Sequence, residues 1–228
     1  MSSVQLALWR VEGLSWPDPT RWLHEAELQR LGRISHAGRQ HQYLAGRWGL
    51  RLLLQRQPAA LALVQAMHLL PSGQTVLPQG AVSLSHAGGW LACAYTPEGR
   101  VGVDIECQRP RVQLLEQAQI WCGPLQCQQL STLPPAAQLA QFYRWWTLKE
   151  AWLKARGQGL DFEQMRALSF ELADATKADA AVTALPQSEV VLALCGSPGD
   201  GLALPSALQE QPLEWEILES RPCFESRP

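Results

Sequence analysis

The chain has 228 residues, of which 46% are apolar and 18% charged. That length supports one large domain or two small ones with a real hydrophobic core, and the composition excludes a disordered chain. The formal net charge is −2, from 19 Lys+Arg against 21 Asp+Glu, which argues against a nucleic-acid coat but leaves room for a local basic pocket. Six cysteines (Cys93, Cys107, Cys122, Cys127, Cys195 and Cys223) form no CxxC pair. Small thiols in a reducing cytosol explain them better than a zinc site does. Residues 1–10 lack a basic stretch followed by a long apolar run, and no apolar run is long enough to span a bilayer. A cytoplasmic location without a membrane partner is expected.

Along the chain, Val4 to Val11 alternates weakly and reads as a strand. Asp18-Pro19 opens a helix expected from Thr20 to about Leu31, since Asp caps and Pro tolerates the first helical position. Arg39 to Gln55 reads as a second helix stopped by Pro58, and Pro58 to Met67 as a third. Ala81–His86 and Trp90–Tyr95 form a hairpin about Gly88-Gly89, and Val101–Glu106 follows as a strand. Leu114–Trp121 reads as a short helix, Leu125–Pro135 as a Gln-rich irregular stretch, and Gln138–Arg156 as a strong helix ended by Gly157 and Gly159. Strands are expected at Leu168–Leu172, Val190–Leu194 and Trp215–Leu218, with a loop from Gly196 to Pro205. Helices followed by strands, twice, give an α+β fold with two similar halves, although no sequence repeat relates them. The expected boundary puts residues 1–100 in one half and 101–228 in the other.

Three patterns carry chemistry. The helix Gln138–Arg156 is apolar at nearly every angle, yet it contains Lys149, Glu150 and Lys154. Buried charge is costly unless it is paired or holds a charged ligand. Asp104 and Glu106 are two apart on a strand, so both carboxylates point one way, as Mg²⁺ ligands would. Ser85-His86 ends an apolar strand before Gly88-Gly89. Taken singly, each pattern is also met in a solvated i,i+4 pair, an acidic edge or a structural histidine.

In this order the three blocks are specific. Ser83-Leu-Ser85-His86, Val101-Gly-Val-Asp104-Ile-Glu106 and Trp146-Thr-Leu-Lys149-Glu150-Ala-Trp-Leu-Lys154 resemble the signature blocks of the long, single-chain phosphopantetheinyl transferases. Tyr43-Leu-Ala-Gly46-Arg47-Trp-Gly-Leu-Arg51 is similar to that family's N-terminal helix. The resemblance covers residues 20–172.

It implies two similar α+β halves with coenzyme A and Mg²⁺ (or Mn²⁺) between them, and a monomer. It implies Asp104, Glu106 and Glu150 as metal carboxylates, and Lys154 at the diphosphate. Ser85 and His86 would contact coenzyme A, Arg47 its 3′-phosphate, and Lys149 would lie close to the reacting phosphate. A serine of an acyl- or peptidyl-carrier protein attacks the β-phosphorus and 3′,5′-ADP leaves. Its proton goes to Glu150 or to water at the metal, so Glu150, Lys154 and His86 form the expected catalytic set.

The segment 109–133 is expected to touch the carrier protein. Two positions depart from the pattern: Gly73-Gln74-Thr75 stands where relatives carry Gly-Lys-Pro, and Ser83 where an asparagine is common. A metal-dependent diphosphate hydrolase and a non-catalytic coenzyme A- or carrier-binding scaffold are the competing readings. The second is disfavoured because all three carboxylates are present.

Overall fold

In a computed structural model, the described residues are 4–12, 14–57, 59–171, 178–185 and 189–196. In chain order the elements are β1 (Gln5–Arg10), a 3₁₀ turn (Pro19–Arg21), α1 (Glu25–Gly32), α2 (Ala37–Gln55), α3 (Ala60–Gln65), β2 (His68–Leu69) and β3 (Thr75–Val76). Next come β4 (Ala81–Ala87), β5 (Trp90–Thr96), β6 (Val101–Cys107), α4 (Leu114–Trp121), α5 (Pro124–Ser131) and α6 (Pro135–Ala155). The series closes with α7 (Phe162–Ala167), β7 (Ala180–Ala184) and β8 (Val190–Gly196). This is a mixed helix and sheet fold with antiparallel sheets.

Two three-stranded sheets, ordered β1-β5-β4 and β6-β8-β7, share one topology: first strand, third strand, second strand. In each, a long helix, α2 or α6, lies in sequence between the first and second strands. The helices pack on the outer faces. Leu91, Cys93 and Tyr95 of β5 meet the apolar side of α2. Val191 and Ala193 of β8 meet α6. The alternate residues, Ala92 and Ala94 on β5 and Leu192 and Leu194 on β8, join the two sheets through one shared core. The central strands β5 and β8 are therefore buried along their whole length and read as apolar runs.

Local chemistry sets most boundaries. Asp18 accepts from the Thr20 N–H, as its capping role requires. The helix that follows is interrupted, because Glu27 reaches back to the His24 N–H and restarts it at Glu25. The stretch expected to be irregular at 125–135 is a correction: it holds α5 and the first residue of α6. Gln is a good helix former, Pro124 occupies the first helical position, and Gln126 bonds back to the Gly123 N–H.

The strand expected at 168–172 is a second correction over residues 168–171, which carry no strand, and residue 172 lies outside the described residues. The Leu168 N–H is held by the Gln164 and Met165 carbonyls at the end of α7. The second strand of that sheet is instead β7, a run of small residues with little apolar signal. The strand expected at 215–218 lies outside the described residues.

Gly102 governs how closely β6 approaches α6. A Cβ at that position would overlap the Ala151 carbonyl oxygen and the Ala155 nitrogen. Because both obstacles are backbone, the helix must shift or the strand must bend. Gly102→Ala is expected to destabilise the protein by about 3 kcal/mol or to leave it insoluble, as read by urea unfolding followed by circular dichroism.

Candidate active site

Asp104 lies on the α6 side of β6 and is 1% exposed. Its Oδ1 accepts from the Ser85 hydroxyl at 2.8 Å and from the Lys154 ammonium at 2.6 Å. Lys154 also donates to the Ser85 Oγ at 2.9 Å and lies 3.9 Å from the Glu150 carboxylate one helical turn earlier. The Asp104 Oδ2 is buried without a hydrogen-bond partner among the described residues.

Glu106, next on the same strand face, accepts from the Trp146 indole N–H at 3.2 Å. Burial, then the charge of Asp104, raises the Glu106 carboxyl above its ordinary range. Glu150 is raised by the same two causes in the same order, with Glu106 adding to them and Lys154 opposing. Burial is the larger cause of both shifts, and the neighbouring carboxylates add to it. Among the described residues no cluster of His, Cys, Asp or Glu forms a ready-made metal cage.

A groove of about 250 Å³ runs from Lys154 and Gly157–Gly159 past Ser83 and Leu84 to Arg47. Its far wall is the β2–β3 turn, Ser72 to Thr75. Arg47 is 4% exposed. It donates to the Thr75 Oγ1 and lies 3.6 Å from Glu27. Its Nε is buried without a partner among the described residues. Glu27 also receives Arg51 at 2.6 Å. Burial tends to raise the Glu27 carboxyl, but Arg51 and the His24 N–H hold it below its ordinary range.

The expected site residues thus separate. Asp104, Glu106, Glu150, Lys154 and Ser85 come together, and Arg47 stands along the groove that Lys154 opens. His86 is exposed and sits on the face of β4 opposite Ser85. Lys149 is turned away from the carboxylates. Its ammonium is fully buried and donates to the Trp121 carbonyl at 3.2 Å, the Gln126 Oε1 at 2.7 Å and the Met165 carbonyl at 2.5 Å. The expectation that Lys149 lies close to a reacting phosphate does not match this placement. Three carbonyl acceptors satisfy a charge that the sequence suggested was waiting for a ligand.

Sequence reasoning also missed the partner of Glu106. Trp146 stands inside the quoted block, but nothing in its spacing showed that its indole would face a strand carboxylate. Glu27, the acid behind Arg47, was equally hidden, because it lies on a different helix.

Comparison with known proteins shows the family. Residues 100–195 match the model of the 4′-phosphopantetheinyl transferase superfamily. The chain is 30% identical over 169 residues to the 4′-phosphopantetheinyl transferase HetI of Nostoc sp., covering 69% of this chain and 71% of that one. It is 36% identical over 122 residues to AcpT of Salmonella typhimurium, covering 52% and 60%. It is 32% identical over 193 residues to a phosphopantetheinyl transferase of Thraustochytrium sp., covering 75% and 66%. The chain belongs to the 4′-phosphopantetheinyl transferase superfamily, a family of transferase enzymes. It spans 58% to 71% of the first curated relatives it matches.

Replacing Lys149 tests its structural placement. Lys149→Met removes one ammonium and its three hydrogen bonds to buried acceptors, the Trp121 and Met165 carbonyls and the Gln126 Oε1. A loss of about 2–4 kcal/mol in unfolding free energy is expected, measured by chemical denaturation.

Proposed function

We propose that the protein transfers the 4′-phosphopantetheine arm of coenzyme A to a serine hydroxyl of an acyl- or peptidyl-carrier protein, releasing 3′,5′-ADP. The observation that carries this reading is the meeting of Asp104 and Glu150 at Lys154, which lines a groove that Arg47 also lines. The strands and helices around the groove are read as two similar halves, residues 1–100 and 101–228. Their common strand order supports this division.

The residues fit a divalent cation. Asp104, Glu106 and Glu150 offer hard oxygen donors, and the buried Asp104 Oδ2 lacks a partner among the described residues. Mg²⁺ keeps waters and takes substrate oxygens, so an incomplete protein cage suits it. When bound, such an ion stabilises charge on the diphosphate.

This chain's own groups supply the rest. Lys154 places an ammonium where the leaving oxygen gains charge. The serine oxygen forms the new bond to the β-phosphorus as the bond to 3′,5′-ADP breaks. Glu150, or water at the cation, accepts the serine proton. Arg47, which lines the groove, reads the 3′-phosphate. The segment 109–133 offers exposed apolar side chains, Val112, Ile120 and Leu125, to the carrier protein. Among the described residues no helix is long and apolar enough to cross a membrane. We read the protein as a cytoplasmic monomer.

Intact-protein mass spectrometry of an apo carrier protein incubated with coenzyme A and Mg²⁺ tests the reading. A gain of one phosphopantetheinyl group, lost with EDTA or with a carrier Ser→Ala, is expected. No gain on any acyl- or peptidyl-carrier tried would overturn it. Asp104→Ala is expected to lower kcat by about 10²-fold or more, measured by the same assay. Arg47→Gln is expected to raise the KM for coenzyme A about tenfold but to leave that for dephospho-coenzyme A unchanged.

A further inference from the structure

We propose that Ser85 is a positioning residue for Asp104, and that its hydroxyl fixes the cation-binding carboxylate rather than contacting coenzyme A. This inference rests on the reading of Asp104 as a cation ligand.

A serine hydroxyl has one donor hydrogen. Here it is directed at the Asp104 Oδ1, 2.8 Å away. The remaining capacity of the Ser85 Oγ is acceptor only, and it faces the Lys154 ammonium at 2.9 Å. Phosphate oxygens need donors. Ser85 therefore cannot donate to a phosphate without releasing Asp104.

The location supports the same role. Ser83 and Ser85 project from one face of β4, since they are two apart. Both reach β6, with which β4 shares no ladder. The Ser83 Oγ accepts the Val103 N–H at 3.0 Å, and Ser85 takes the adjacent Asp104 side chain. Two side-chain bonds thus stand where a strand pair would otherwise fix register. The consequence for Asp104 is orientation. The terminal torsion of an aspartate is soft. Two donors on Oδ1 hold it, so that Oδ2 is the oxygen left unpartnered. Such outer-shell hydrogen bonds to a ligating carboxylate are worth about 10- to 100-fold in metal affinity.

The test is Mn²⁺ binding by electron paramagnetic resonance, with the KM for coenzyme A measured at saturating Mn²⁺. Wild type is compared with Ser85→Ala, Ser85→Cys and Ser85→Thr, each checked for folding by circular dichroism. Ser85→Ala and Ser85→Cys are expected to weaken Mn²⁺ binding about 10- to 100-fold. Ser85→Thr keeps the donor and is expected to stay within about threefold of wild type. With Mn²⁺ saturating, all three should keep a near-normal KM for coenzyme A. If Ser85→Ala fails to fold, the Cys and Thr variants decide. Unchanged Mn²⁺ affinity in the Cys variant, or a raised KM for coenzyme A that saturating Mn²⁺ does not cure, overturns the proposal. A wild-type protein that transfers phosphopantetheine but binds no Mn²⁺ overturns the cation reading and this role together, and leaves the transferase reading standing.

Discussion

The site depends on a carboxylate buried where it cannot be solvated. Asp104 is almost wholly out of water, and a charge in that position is costly unless neighbours compensate it. Its compensation comes from two directions, Ser85 on β4 and Lys154 on α6. Three elements distant in sequence are thereby committed to one point. Gly102, two residues before Asp104, lets the strand lie against the backbone of α6. Without that approach neither Lys154 nor Glu150 would reach the strand carboxylates.

Two further buried charges frame this centre. On one side Glu27 binds Arg51 and neighbours Arg47, tying α1 to α2 and presenting Arg47 along the groove. On the other, Lys149 ties α6 to the Trp121 carbonyl, to Gln126 and to the end of α7. The Trp121 ring packs edge-on against Phe142 and Trp146, and the Trp146 indole bonds to Glu106. Lys149 thus holds Trp121, whose ring packs on the Trp146 ring that bonds Glu106. Adjacent charged residues on one helix, Lys149 and Glu150, serve different ends because they point about 100° apart.

Much of this was legible beforehand. The long helices show as extended apolar-rich stretches closed by Pro58 or Gly157, β4 and β5 as apolar segments about Gly88-Gly89, and the pairing of acids on β6 follows from alternation. Glu150 and Lys154 could be named together because buried charge in an apolar frame demands a partner, and Asp104 joined them only through the family resemblance. What failed to show had local causes. β7 is built of small residues, so no apolar pattern marked it. The Gln-rich α5 lacks the Ser, Asp or Asn that usually announces a helix start. The role of Lys149 was misread because a sequence reports that a charge is buried, not which carbonyls await it. The common topology of the two sheets was visible only in three dimensions, since composition and order of side chains differ between them.

The interface between the sheets has its own consequence. Ala92 and Ala94 bring the sheets together through apolar contact, and no ladder joins them. Apolar contact resists separation but is not directional, so resistance to sliding falls to side-chain packing and to the Ser83–Val103 and Ser85–Asp104 bonds. Those bonds are pins across a plane that runs beside the candidate site. Conditions that loosen it would misalign Ser85 and Asp104 while both sheets and both long helices stay intact. Inactivation would then precede melting, and a gap between the two curves would measure the strength of the plane.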